Sequence, residues 1–133
     1  MKNFKQRSMK KLIGILALLV GFAFQSNAQG TLKFKKEKHD FGTIAEGVQA
    51  TYSFEFTNTG NAPVVISNVQ PSCGCTTPDW TREPIMPGKT GKVTASYNST
   101  GRPGNFSKTI TVINNGSTSQ IILMISGSVK PKA

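Results

Sequence analysis

Only two cysteines occur in the 133-residue chain, Cys73 and Cys75, and a single glycine separates them. Thiols this close could be joined as a disulfide in an oxidising compartment. In extended chain, residues two apart have Cα atoms near the upper limit of the roughly 4.4 to 6.8 Å that a relaxed bridge needs. Such a bond is therefore expected to be strained, with Gly74 supplying the bend. Its ring spans three residues, so chain entropy contributes only about 1.6 kcal/mol. A bond of that kind is not mainly structural, and strain moves it toward the exchangeable end of the redox scale.

Two thiolates on one side of a strand are also soft ligands that suit Cu(I). A structural zinc site wants four ligands, and the chain adds one histidine, His39. The third reading makes both cysteines small apolar side chains tucked beneath a loop, with Gly74 present for its backbone. A Cys–His nucleophile pair can be written with His39, but no orienting partner accompanies it, so His39 is expected at the surface. Asp40-Phe41-Gly42 copies a kinase magnesium motif in letters only, without a glycine-rich loop, strand lysine or catalytic loop. Trp80, the single tryptophan, is expected to cap the core. The acceptor patterns at Asn98, Asn105 and Asn115 are read as turn asparagines. No catalytic or cofactor-binding residue is expected, and the metal or redox candidates are Cys73 and Cys75.

The elements that must position this pair begin after an export signal. Lys2, Lys5, Arg7, Lys10 and Lys11 precede the 13-residue apolar run Leu12 to Phe24, and Ser26-Asn27-Ala28 places small residues where a signal peptidase reads. A membrane span needs roughly 20 apolar residues, so residues 1–28 are expected to be a cleaved signal peptide helix, with cleavage after Ala28. Export implies a periplasmic or secreted protein and no transmembrane segment after processing. Five of the 16 basic residues fall in that signal and none of the six acidic ones, so the formal charge drops from +10 to +5. Half of the net positive charge that would suggest nucleic acid thus belongs to the signal. Lys33, Lys35, Lys36 and Lys38 remain, and are expected to protect a strand edge.

Residues 29–133 suit one domain. Tyr52, Phe54 and Phe56 alternate with Thr51, Ser53, Glu55 and Thr57, and Val93, Ala95 and Tyr97 alternate with Lys92, Thr94, Ser96 and Asn98. Asn58-Thr59-Gly60-Asn61 supplies residues that tolerate positive φ. Pro87-Gly88 fits a type II turn, and Asn115-Gly116 is a hairpin signal. The last strand, Gln120 to Val129, is apolar on both parities, so it is expected to be covered on both sides or to lie at a contact. About seven short strands predict an all-β, immunoglobulin-like antiparallel β-sandwich.

Ordered motifs then carry a resemblance: His39-Asp40-Phe41-Gly42-Thr43-Ile44, Glu46-Gly47, Phe54-Glu55-Phe56-Thr57-Asn58-Thr59-Gly60, Ala62-Pro63-Val64-Val65-Ile66, Ser72-Cys73-Gly74-Cys75-Thr76 and Pro84-Ile85-Met86-Pro87-Gly88. Together they resemble the bacterial domain of unknown function 1573. That resemblance implies a sandwich similar to the ASH, major sperm protein and PapD types, and export in Bacteroidetes-like bacteria; it implies no activity. The expected function is a non-enzymatic structural or protein-interaction module of the bacterial envelope with a protein partner. Cu(I) binding or thiol–disulfide chemistry at Cys73-Gly74-Cys75 stands as the alternative.

Overall fold

Alternation sorts the side chains into two layers. In Gln49–Asn58 the even positions Ala50, Phe54, Phe56 and Asn58 are buried, while Gln49, Thr51 and Glu55 are exposed. The same pattern buries Val93, Ala95 and Tyr97, and then Ile110 and Val112 on one side of a third long strand. Fully buried side chains of this size each contribute about 1.5–3 kcal/mol, so the inward stripe fixes which face of each strand meets the other sheet.

The computed structural model describes residues 28–132. The expected signal peptide lies outside the described residues except for Ala28, which is exposed. Eight strands follow: β1 (Leu32–Phe34), β2 (Lys38–Ala45), β3 (Gln49–Asn58), β4 (Ile66–Pro71), β5 (Thr76–Trp80), β6 (Thr90–Asn98), β7 (Gly104–Asn114) and β8 (Gln120–Lys130). They form two four-stranded sheets, β1-β3-β6-β5 and β2-β8-β7-β4. The orders reproduce the two sheets of an immunoglobulin constant-type sandwich, with β2 added beside the last strand. Among the described residues no helix is long and apolar enough to cross a membrane.

The count exceeds seven because the first strand is split. β1 pairs with β3 in one sheet, the chain crosses at residues 35–37, and β2 pairs with β8 in the other. That second pairing is parallel, the exception to an otherwise antiparallel fold. A register shift between Asp40 and Thr43 bends β2. There Gly42 sits at φ +68 and donates its N–H to Asp40 Oδ1 at 2.8 Å.

Two buried asparagines organise one end of the sandwich. Asn58, with 0% exposure, accepts from Thr31 N–H at 3.2 Å and Gly60 N–H at 3.0 Å, and donates to the carbonyls of Ala62 at 2.8 Å and Ile85 at 2.9 Å. The turn after β3 therefore forms through this side chain, not through the positive φ expected of Asn58-Thr59-Gly60-Asn61, none of which has one. The Asn115-Gly116 signal correctly marks the β7–β8 hairpin, but Gly116 is not at positive φ either. Asn114 accepts from Gly116 N–H at 2.8 Å and donates to the Thr118 carbonyl at 3.0 Å, which makes a longer connection over residues 115–119.

β8 departs from expectation as well. Ile121, Leu123 and Ile125 point into the core, whereas Ile122 is 60% exposed and Met124 is half-buried. Among the described residues, β8 is thus covered on one face only.

Candidate functional site

β4 ends at Pro71 in one sheet and β5 begins at Thr76 in the other, so Ser72 to Cys75 carries the chain between layers. Backbone hydrogen bonds pin this crossing at both ends. Ser72 N–H donates to the Thr109 carbonyl at 2.9 Å, and Thr109 N–H returns to Ser72 Oγ at 3.1 Å. On the other side, Asn98 N–H donates to the Cys75 carbonyl at 2.9 Å, and Thr76 N–H closes the turn onto the Cys73 carbonyl at 3.2 Å. The turn makes the two cysteines approach.

Cys73 and Cys75 are joined as a disulfide with their Cα atoms 5.2 Å apart. The spacing lies within the relaxed range, below the upper limit expected for extended chain, because the turn has folded it. Gly74 is not required by the bend: its φ is not positive, and a Cβ there would meet nothing within 4 Å. Cys75 belongs to the core with 3% exposure, while Cys73 is half-buried against it. Cys75 N–H donates to Cys73 Sγ at 3.1 Å. Cys75 is thus placed as the third reading had it, a small apolar side chain under a loop, but it is bonded and not free. With both sulfurs engaged, the pair offers thiolates to a metal only after reduction.

His39 is elsewhere. It lies on β2, and β8 and β7 separate that strand from β4 within the sheet. Its ring stacks on Tyr52 with centroids 3.7 Å apart and meets the edge of Phe41 at 4.7 Å. The expected surface histidine is therefore half-buried, since the crossing at residues 35–37 presses β2 toward β3. Burial pushes its pKa below the ordinary value, the Lys36 charge pushes the same way, and Asp40 opposes them. The imidazole is held toward its neutral form, and no Cys–His pair is assembled. Among the described residues, no group of three or more His, Cys, Asp or Glu side chains is gathered as metal ligands would be.

Trp80, on β5, packs against the core at the same lateral edge as the disulfide. The Arg82 guanidinium covers it 3.5 Å from the ring centroid, held in turn by Asp79 at 3.7 Å. Asp40, Phe41 and Gly42 form part of β2 and its bend. Of the three asparagines read as turn residues, Asn98 caps local backbone, accepting from Thr100 N–H at 3.1 Å, whereas Asn115 accepts from the distant Val65 N–H at 2.8 Å and Asn105 lies within β7. Two features escaped the sequence reading, the Asn58 cluster and an opening beside β8. The first had a signal, because Asn58 continues the inward parity of Tyr52, Phe54 and Phe56.

Solved structures share this fold at low identity. A crystal structure of a protein of unknown function from Porphyromonas gingivalis W83 matches with a TM-score of 0.68 and 18% identity, over 80% of this chain and 50% of that one. The present chain therefore spans half the length of that protein. The ASH/PapD-like domain 7 of human CEP192 matches with a TM-score of 0.62 and 11% identity, over 83% of this chain and 92% of that one. The secreted serine protease VesC of Vibrio cholerae matches with a TM-score of 0.56 and 19% identity, over 74% of this chain and only 23% of the protease. At such identities these likenesses establish the fold alone. No curated protein matches the chain significantly. The family model described as "Protein of unknown function (DUF1573)" matches residues 32–129, nearly the whole sandwich, and the chain belongs to that family.

Proposed function

We propose that the chain is an exported, non-enzymatic interaction module of the bacterial envelope, cleaved after Ala28, working in the periplasm or outside the cell without a cofactor, and holding a protein partner by a sheet edge. The observation that carries this reading is that neither sheet closes on itself. Among the described residues four strands, β1, β2, β4 and β5, each pair on one side only, and exposed strand edges recruit extended segments of other proteins. The basic N-terminal segment followed by an apolar run supports export. Crosslinking in intact envelopes followed by purification tests the proposal. The expected result is one partner recovered reproducibly; recovery of none across growth conditions would reject it.

A second reading is favoured by the Cys73–Cys75 bond itself. A ring of three residues stabilises the fold by only about 1.6 kcal/mol through chain entropy, so the bond can be exchanged at small cost to the fold. An external thiolate would attack the half-buried Cys73 sulfur, form a mixed disulfide and release Cys75 as a thiolate, which then takes a proton. After full reduction by a dithiol the same pair would present two thiolates to Cu(I). Intact mass with and without alkylation decides the matter: a bond that survives a strong reductant excludes both chemistries. Cu(I) binding unchanged in Cys73→Ser excludes these thiolates as its ligands.

A further inference from the structure

β2 leaves the first four residues of β8, Gln120 to Leu123, uncovered. Pairing begins with Lys38 opposite Met124 and ends with Ala45 opposite Lys130. The Met124 N–H, turned away from β7, is taken by the Glu37 carbonyl at 2.8 Å. Within a strand, backbone groups two residues apart point the same way. The N–H and C=O of Ile122 therefore face this same side, where no described strand continues the sheet. Across the opening stands β1, which spends its pairing on β3 in the other sheet. The crossing at residues 35–37 closes the opening at one end. What is left is a slot of about 340 Å³ lined by Leu32, Glu37, Thr118, Gln120, Ile121 and Ile122.

The edge strands β1, β4 and β5 carry devices that discourage strand addition: β1 is three residues long and bears Lys33, Pro71 ends β4 and Pro78 lies within β5. Gly104 to Lys108, the part of β7 that β4 leaves uncovered, ends in a lysine. Gln120 to Leu123 has neither charge nor proline. Its Ile122 stands 60% exposed at the mouth of the slot. Lys33, Lys36 and Lys38 are exposed along the segment that borders the slot and outnumber Glu37, the one charged residue of its lining, whereas Lys35 is already paired with Glu55 at 2.7 Å. A strand of four residues there would span about 13 Å.

The geometry points to a strand-addition site for an extended, acidic segment of a partner polypeptide, which pairs with the Ile122 backbone and seats an apolar side chain over Leu32 and Ile121. The inference rests on the interaction-module reading and specifies its edge and its partner chemistry. It is tested on the chain expressed full-length and purified as the cell processes it. The probe is an eight-residue peptide alternating valine with glutamate, and a valine–lysine peptide is the control. In the free protein the Ile122 amide is expected to exchange rapidly with solvent. Addition of the glutamate peptide should slow that exchange at least tenfold and shift the amide resonances of Gln120 and Ile122, while the lysine peptide binds at least tenfold more weakly. Ile122→Pro removes an N–H that the β7 ladder does not use, and should weaken binding at least tenfold. Should that variant fail to fold, Ile122→Glu, at an exposed position, is expected to repel the same peptide.

Equal binding of both peptides, shifts confined to β4 and β5, or no binding at millimolar peptide would overturn the proposal. So would an Ile122 amide already protected in the free protein, which would mean that residues 1–27 or a second copy of the chain fills the slot. Crosslinking in envelopes separates the two levels. A partner still captured by Ile122→Pro leaves the module reading standing and removes this site, whereas no partner captured by the native chain removes the module reading.

Discussion

The chain crosses between the two sheets once at each lateral edge, and the two crossings leave different surfaces. At the β4/β5 edge the crossing is a short loop between strands that both stop there, and it buries Cys75 and brings Trp80 against the core. At the β1/β2 edge the crossing falls within one run of extended chain. Lys35 N–H still bonds the Glu55 carbonyl of one sheet at 3.0 Å, and two residues later the Glu37 carbonyl serves Met124 of the other. Both crossings are well bonded, and each leaves part of a neighbouring strand uncovered: Gly104 to Lys108 of β7 beyond the first, Gln120 to Leu123 of β8 beside the second. The lesson is geometric: a strand that changes sheets midway leaves an opening between its own two halves, lined by Leu32, Glu37 and Ile122, whereas a loop between two strand ends closes its edge with Cys75 and Trp80 against the core.

Four variants probe this contrast. The largest effect is expected at Asn58, whose Thr31 bond ties the start of β1 to the rest of the fold. Asn58→Ala leaves the Thr31 and Gly60 N–H groups and the Ala62 carbonyl without their partner, while the Ile85 carbonyl keeps Val64 N–H; the cost is about 3 kcal/mol, so thermal melting should fall by about 15 °C. Amide exchange should rise first in β1 and β2; an even rise across both edges would break the contrast. Replacing both cysteines, Cys73→Ala with Cys75→Ala, should cost about 1.6 kcal/mol, the chain-entropy value for so short a ring. Denaturant titration gives this number directly. A loss beyond about 4 kcal/mol would show that the covalent bond, not the hydrogen bonds of Ser72, Thr76 and Asn98, holds that crossing together.

Arg82→Ala should uncover Trp80 and cost about 0.5–1 kcal/mol of cation–π attraction. Trp80 is the only tryptophan, so its fluorescence should shift to longer wavelength. No shift would mean that β5 shields the ring without Arg82. The smallest effect belongs to His39. Its pKa lies below the ordinary 6.5 chiefly through burial and then through Lys36, so near pH 6 the unfolded chain binds more proton than the folded one. Its contribution to stability is therefore complete above pH 6.5 and declines as acid takes the pH down through the folded value. Proton NMR should place the His39 midpoint below 6.5, and Lys36→Gln should raise it; a midpoint at or above 6.5 would mean that β2 does not press the ring onto Tyr52.

How much of this was legible follows from which interactions are local. Tyr52, Phe54 and Phe56 announce β3, and Pro87-Gly88 announces a type II turn, found with Gly88 at φ +78 and Lys89 N–H on the Met86 carbonyl at 3.0 Å. Alternation at Leu32 and Phe34 also marks β1, but a period of two cannot say that the next residues join the other sheet. The parallel partner of β2 lies some 85 residues away in sequence, beyond any local pattern. Asn58 and Asn114 were hidden for the opposite reason, since asparagine at a strand end looks like ordinary turn chemistry until its side chain is seen buried. At the cysteines, spacing left disulfide, metal and plain burial open. The turn that selects the bond depends on Thr109 and Asn98, both distant in the chain.

The pairing of β2 with β8 also sets an order of events. Lys38 to Ala45 are among the earliest residues of the sandwich, and their ladder partners, Met124 to Lys130, are the last. However the chain is delivered to its compartment, a chain that emerges with its amino end first holds β2 unpaired until β8 arrives. Sheets dominated by such distant pairings mature in milliseconds to seconds, about the slow end for domains of this size. β2 is consequently the last strand to gain its partner, while β1 can already pair with the nearby β3, and β2 is the first place at which an unfinished chain could be caught by a chaperone or a protease.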